Sequence, residues 1–189
     1  MLRKSIIITL AFSIFAVATP AMSAVEIEGI AFDEVYRADT VDLHLRGYGL
    51  LRYLVFIKAY VGAFYTLPQS NPQQALSTAP RRLELEYFHA IEAADFAEAT
   101  RIKIAENVSP ETLATISERL ARFNALYRDV QPGDRYALTY LPGSGTELSL
   151  NGTPLGRIQG DDFAAAVFAI WLGPSPIDTD FRDALLGVQ

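Results

Sequence analysis

The chain has 189 residues, a formal charge of −6, no cysteine and 50% hydrophobic residues. That apolar share supports a real core and excludes a disordered chain, and the length fits one compact domain. The acidic balance gains nothing from counterion release and disfavours nucleic acid, and the missing cysteines exclude disulfide frameworks and thiolate chemistry.

The first residues read as a targeting segment. Arg3 and Lys4 form a basic start, Ser5 to Ala18 is an apolar run, and the small residues around Pro20 to Ala24 offer cleavage after Ser23 or Ala24. The run is short for a membrane span, so residues 1–24 are expected to be a secretory signal peptide and residues 25–189 the exported domain, periplasmic or secreted. Removing the first 24 residues takes away Arg3 and Lys4 and no acid, leaving a formal charge of −8.

After the signal, Val25 to Phe32 alternates as an edge strand. Val41 to Arg46 alternates again, with Val41, Leu43 and Leu45 on one face, and Gly47 and Gly49 then interrupt the chain. Gly47 to Leu67 is the central stretch, long, aromatic and β-branched, and reads as one extended strand or a tight strand pair. Its odd positions from Tyr53 to Tyr65 are almost wholly apolar and suit a helix-covered core. Its even positions bring Arg52, Lys58 and Tyr60 among apolar side chains, as a pocket for an amphipathic anion requires.

Asn71-Pro72 opens a short helical connection, and Arg82 to Phe88 is a strand with Leu83, Leu85 and Tyr87 opposed to Arg82, Glu84 and Glu86. Glu92 to Val108 reads as a helix. Ser109 caps a second with Pro110 at its first position, and Leu113, Ile116, Leu120, Phe123 and Tyr127 recur at helical spacing. Arg135 to Leu141 is a strand, and Asn151-Gly152 marks a hairpin. Asp161 or Asp162 is expected to cap a helix that is apolar all round, and Ile177 to Leu186 forms a last short one. Strands, helices, strands, helices in that order predict an α+β fold, an antiparallel sheet backed by a layer of helices.

Chemistry-bearing motifs are sparse. His44 and His89 lie on strand-like segments with no second histidine or cysteine at ligand spacing, so no metal is expected. No serine-triad elbow, phosphate loop or dinucleotide glycine pattern occurs, and no cofactor is expected. Asn107-Val-Ser109 fits a glycosylation sequon but is better explained by the Ser109 cap. Trp171 reads as core.

Tyr140-Leu-Pro-Gly-Ser-Gly-Thr146, Leu150-Asn-Gly-Thr-Pro-Leu-Gly156, Ile158-Gln-Gly160 and Ile170-Trp-Leu-Gly173 together resemble the bacterial chalcone isomerase-like family, as do Gly49-Leu-Leu-Arg-Tyr53 and Phe56-Ile-Lys-Ala-Tyr60. The resemblance spans about Val25 to Gly187 and implies a chalcone isomerase-like open-faced β-sandwich with a ligand cleft between sheet and helices. The plant enzymes cyclise a chalcone with an Arg, a Thr, a helix Tyr and Lys, and a late-helix hydroxyl. The matching positions here are Arg52, Tyr60, Phe96, Ala99 and Ala164, so only the Arg survives. That loss argues against isomerase activity, because the donors that would stabilise a developing enolate are gone. The Arg-plus-Tyr pattern resembles the fatty-acid-binding branch of the superfamily instead. It implies that Arg52 and Tyr60 hold the carboxylate of a small apolar, fatty-acid-like anion, without a bilayer span or nucleic acid as partner. The alternative is an isomerase acting on an unsaturated carbonyl compound with Arg52 as electrophile. In a straight strand the two residues would stand about 26 Å apart, so they meet only if the segment folds back or bulges.

Overall fold

The computed structural model describes residues 23–53 and 56–188, so residues 1–22 of the expected signal lie outside it. The segment read as one edge strand is two. β1 (Ala24–Ile27) and β2 (Ile30–Asp33) pair antiparallel through a tight turn in which Glu28 and Gly29 have φ of 55° and 81°. The other seven strands form one antiparallel meander in chain order: β3 (Val35–Ala38), β4 (Val41–Tyr53), β5 (Ile57–Thr66), β6 (Arg81–Tyr87), β7 (Arg135–Leu141), β8 (Gly145–Leu150) and β9 (Thr153–Ile158). Helices α1 (Ala93–Asn107) and α2 (Pro110–Asn124) are inserted between β6 and β7, and α3 (Asp161–Leu172) and α4 (Thr179–Leu186) follow β9. The expected α+β architecture of an antiparallel sheet backed by helices is what forms.

The central stretch is the strand pair, with its reversal between Tyr53 and Ile57. Gly47 and Gly49 do not interrupt it; β4 runs through both. Two bulges decide which side chains face where. Leu45 pairs with Tyr65 but Gly47 with Phe64, so the extra residue Arg46 turns the later part of β4 over. Leu43 and Leu45 therefore pack under the β1–β2 hairpin, while Leu51 joins the helix-side core. On β5 the assignment of faces is the reverse of the sequence expectation. Even residues Tyr60 and Phe64 meet the helices, and odd residues Val61, Ala63 and Tyr65 fill the smaller core beneath β1 and β2. Both faces of this strand are covered, which is why its apolar run is nearly continuous.

The face of β6 that carries Arg82 and Glu84 is also buried. Arg82 and Glu84 are both covered, with Arg82 Nε 2.8 Å from Glu84 Oε1. Arg135 of β7 bonds Glu84 at 3.0 Å and Glu86 at 2.6 Å, its guanidinium lies 4.4 Å from the Phe32 ring centre, and it donates to the Ala31 carbonyl. The β1–β2 hairpin thus closes over an ion-pair network rather than over oil alone. Such a network is costly to break from one side, because a lone charge would stay buried.

Helix ends follow local chemistry. Ser109 Oγ accepts from the Thr112 amide with Pro110 opening α2, and Asp178 Oδ1 accepts from the Phe181 amide at the start of α4. At α3 the expected Asp cap is displaced by one position. Gly160 is the N-cap, with φ 109°, and Asp161 and Asp162 occupy the first turn. Their carboxylates are used across the fold instead. Tyr140 Oη donates to Asp161 at 2.7 Å, and Arg119 pairs with Asp162 at 2.6 Å. The expected Asn151-Gly152 turn joins β8 to β9 with φ of 50° and 77°.

The β4 glycines give α4 its seat. A Cβ on Gly47 would overlap the Ala184 carbonyl oxygen and stand 2.6 Å from that of Leu185, and one on Gly49 would meet the Ala184 Cβ at 2.9 Å. Gly47→Ala is expected to push α4 off the sheet and lower unfolding stability by roughly 1–3 kcal/mol, read as a drop in the urea midpoint. An unchanged midpoint would show that α4 is not held at this distance.

Candidate functional site

Between the helix side of the sheet and helices α1 and α3 lies a cavity of about 230 Å³. Strand alternation builds its floor. Leu83, Leu85 and Tyr87 of β6, Leu138 of β7 and Leu148 of β8 all point to this face, and Tyr60 of β5 closes one end. Residues spaced by three and four on α1 form the roof: Phe96, Ala99, Thr100 and Lys103. Ile170 and Trp171 of α3 complete the wall, and half-exposed Ile177 stands beside them.

Aromatic rings dominate the end near Tyr60. Tyr60 and Tyr87 meet edge to face at 5.4 Å, Tyr87 and Phe96 at 5.2 Å, and Phe96 stacks on Tyr127 at 5.3 Å. Such pairs add specific geometry to plain burial and hold the wall in shape. Polar atoms in the lining are few. Trp171 Nε1 donates to Tyr60 Oη at 3.0 Å, and Thr100 Oγ1 and Tyr127 Oη share a hydrogen bond of 2.8 Å. Among the described residues the Tyr60 hydroxyl only accepts, so its own proton is free, and the Tyr87 hydroxyl has no partner. Burial pushes the Tyr60, Tyr87 and Tyr127 phenols far above their ordinary ionisation range. They are therefore neutral hydrogen-bond donors, not bases. Lys103 is the cation of the lining, with its Nζ 2.7 Å from Glu106 at the protein surface.

The sequence-derived pair is not brought together. Tyr60 lines the cavity. Arg52 does not line it; its side chain is 44% exposed and its Nη2 lies 3.7 Å from Glu28 in the β1–β2 turn. The cause is local. The chain does fold back, but Leu51 pairs with Tyr60 and Arg52 with Lys58, which leaves Ala59 as an extra residue. Leu51 and Tyr60 face the helices, while Arg52 and Lys58 both reach Glu28 on the opposite face. The even-numbered set on β5 is thus split by the bulge between Lys58 and Tyr60. Phe96 and Ala99, at the positions where the plant enzymes carry Tyr and Lys, line the cavity; Ala164 is fully buried and outside the lining. Lys103, Thr100 and Tyr87 were missed, although Phe96, Ala99 and Lys103 at i, i+3 and i+7 mark one helix face. Trp171, expected as plain core, is a wall of the cavity. His44 and His89 are exposed, and no group of three metal-ligating side chains occurs among the described residues.

The profile of the chalcone isomerase-like family matches residues 24–187. Among solved structures, the fold is similar to that of an Arabidopsis thaliana fatty-acid-binding protein, with a TM-score of 0.68 at 15% identity, covering 87% of this chain and 96% of that one. No curated protein sequence matches.

The buried phenols make stability sensitive to alkali. In the unfolded chain they ionise near pH 10, and in the folded chain well above it. The unfolded state then loses protons first. Stability is intact below pH 10 and falls above it by about 1.4 kcal/mol per pH unit for each such tyrosine. The tyrosinate absorbance contributed by these three buried phenols is expected to rise together with the loss of far-ultraviolet circular dichroism. Ionisation of all tyrosines with the dichroism intact would contradict these burials.

Proposed function

We propose that this chain, which belongs to the chalcone isomerase-like family, is an exported binding protein that encloses an apolar carboxylate of the fatty-acid type without reacting with it. The observation that carries the reading is the lining itself. Leu83, Leu85, Leu138, Leu148 and Ile170 offer a hydrocarbon surface, and the donors along it are the free Tyr60 and Tyr87 protons within and the Lys103 ammonium toward the surface. The similar plant structure is a fatty-acid-binding protein, and this supports the same ligand class here.

Chemistry on the ligand has little support from the same residues. Phe96 has no hydroxyl and Ala99 no ammonium, and the neutral phenols cannot take a proton. The isomerase alternative needs Arg52 against the reacting carbonyl, whereas Arg52 stands beside Glu28 outside the lining. Size narrows the class. About 230 Å³ falls just below the roughly 300–1,000 Å³ of common small-molecule sites, which favours a short or medium acyl chain. The basic start, apolar run and small-residue cleavage site at residues 1–24 support release into the periplasm or the medium.

Trp171 is the chain's single tryptophan and lines the cavity, so its emission reports occupancy. Titration with decanoate is expected to shift that emission, and mass spectrometry of an organic extract of the purified protein is expected to show an acyl acid. Ala99→Trp, which fills the roof, should weaken binding at least tenfold, about 1.4 kcal/mol or more. Lys103→Gln should weaken it by less, and Arg52→Ala should leave it unchanged. No emission change with decanoate and no lipid in the extract would end the carrier reading. Loss of binding in Arg52→Ala alone would return the carboxylate to Arg52.

A further inference from the structure

Two phenols of the cavity wall are buried and still free to donate. Tyr60 is 7% exposed and Tyr87 4%. They are register partners on β5 and β6, with ring centres 5.4 Å apart. The Tyr60 hydroxyl accepts from Trp171 Nε1 and keeps its own proton, and Tyr87 Oη has no partner among the described residues. Nor is Tyr87 Oη closed off. Among the described residues, the polar side-chain atoms that are both unpaired and sealed belong to Arg81, Asn124 and Thr146, whereas Tyr87 stands in the cavity wall. A buried hydroxyl left without a partner costs about 1–3 kcal/mol, and a phenylalanine would line the same wall without that cost. The hydroxyl is accounted for by something in the cavity that accepts from it.

The charges around the pair select the acceptor. The charged group that acts on the Tyr60 hydroxyl is the Asp178 carboxylate at the start of α4. The groups that bear on Tyr87 are the phenols of Tyr60, Tyr127 and Tyr136. α1 brings Asp95 and Lys103 to the lining, and Lys103 is already paired with Glu106. A carboxylate therefore has to draw on Lys103 as well as on the phenols. A carbonyl oxygen has two lone pairs and no charge, so a neutral donor satisfies it without a counter-ion. Taking from the carrier reading above that this cavity binds an acyl chain, we propose that it also takes uncharged acyl compounds, ketones and esters, whose carbonyl oxygen accepts from Tyr87 beside Tyr60. The hydrocarbon part lies on the same leucines, Leu83, Leu85, Leu138 and Leu148. Tyr87 is then the residue that distinguishes a carbonyl compound from a bare hydrocarbon, because a site with a free buried donor favours the ligand that pairs it.

The purified protein is titrated with 2-decanone and, separately, with decanoate, each followed by Trp171 emission. Binding of 2-decanone is expected. Tyr87→Phe, which keeps the ring, is expected to weaken it about tenfold, equal to about 1.4 kcal/mol, with circular dichroism unchanged. Infrared spectra of the bound ketone are expected to show its carbonyl stretch below the value in hexane, and Tyr87→Phe is expected to return it toward that value. A merely structural role for the hydroxyl would not move the stretch. Failure of 2-decanone to bind overturns the proposal, as does a bound ketone whose stretch equals that in hexane, a result that the parent protein alone supplies. Affinity and stretch both unchanged in Tyr87→Phe also overturn it and leave the hydroxyl to a bound water. A protein that binds decanoate and not 2-decanone loses this proposal alone. One that binds 2-decanone and not decanoate loses the carboxylate reading and keeps the carbonyl site.

Discussion

The register of β4 against β5 is the constraint on which the rest of the molecule depends. Two extra residues, Arg46 on one strand and Ala59 on the other, turn the side chains over at two points along the pair. The first turn-over presents Gly47 and Gly49 to α4 and so lets that helix lie against the strand. The second sends Tyr60 to the helices and Arg52 and Lys58 to Glu28. Without it, Lys58 and Tyr60 would share a face and a cation would stand in the cavity wall. A bulge costs one unpaired residue in the ladder, and here it separates an apolar ligand wall from a charged outer end within three residues of chain.

Much of the fold was readable from the chain because it rests on local signals. Ser109-Pro110, Asn151-Gly152 and the unbroken apolar run of α3 each specify structure within a few residues. Faces were harder. Period-2 alternation says that Tyr60 and Val61 oppose one another, but not which of them meets helices, since both sides of β5 are covered. The β1–β2 hairpin is the reason. It buries Arg82 and Glu84, whose charge reads as a solvated face, by closing them into pairs with each other and with Arg135. Bulges are equally hidden, because Arg46 and Ala59 carry no turn residue and no glycine. The site was legible in kind but not in membership. Tyr60 and the replaced positions Phe96 and Ala99 were found by resemblance to enzymes, whereas Lys103 and Thr100 follow only from the pitch of α1 against the sheet.

Phe96 and Ala99 change the chemistry of the cavity roof and its shape together. A phenol and an ammonium on α1 would give this roof a donor pair able to bear charge. Phe96 and Ala99 replace them with a ring that packs on Tyr87 and Tyr127 and with open space beside it. The remaining phenols are held neutral by burial, so they donate hydrogen bonds and do not act as bases. An aromatic box with spare O–H groups suits the binding proposed above, because it can donate to an anionic head.

Magnitudes then decide which features set affinity and which set orientation. Each methylene buried is worth about 0.8 kcal/mol, so a medium acyl chain contributes several kcal/mol from shape alone. Lys103 already pairs with Glu106 at the surface, and an ion pair in that setting adds only about 0–1 kcal/mol. The acidic chain offers no long-range attraction for an anion, since its field has the wrong sign. Under the binding proposed above, hydrocarbon burial must therefore provide most of the hold, with Lys103 left to bias which end of the ligand faces out.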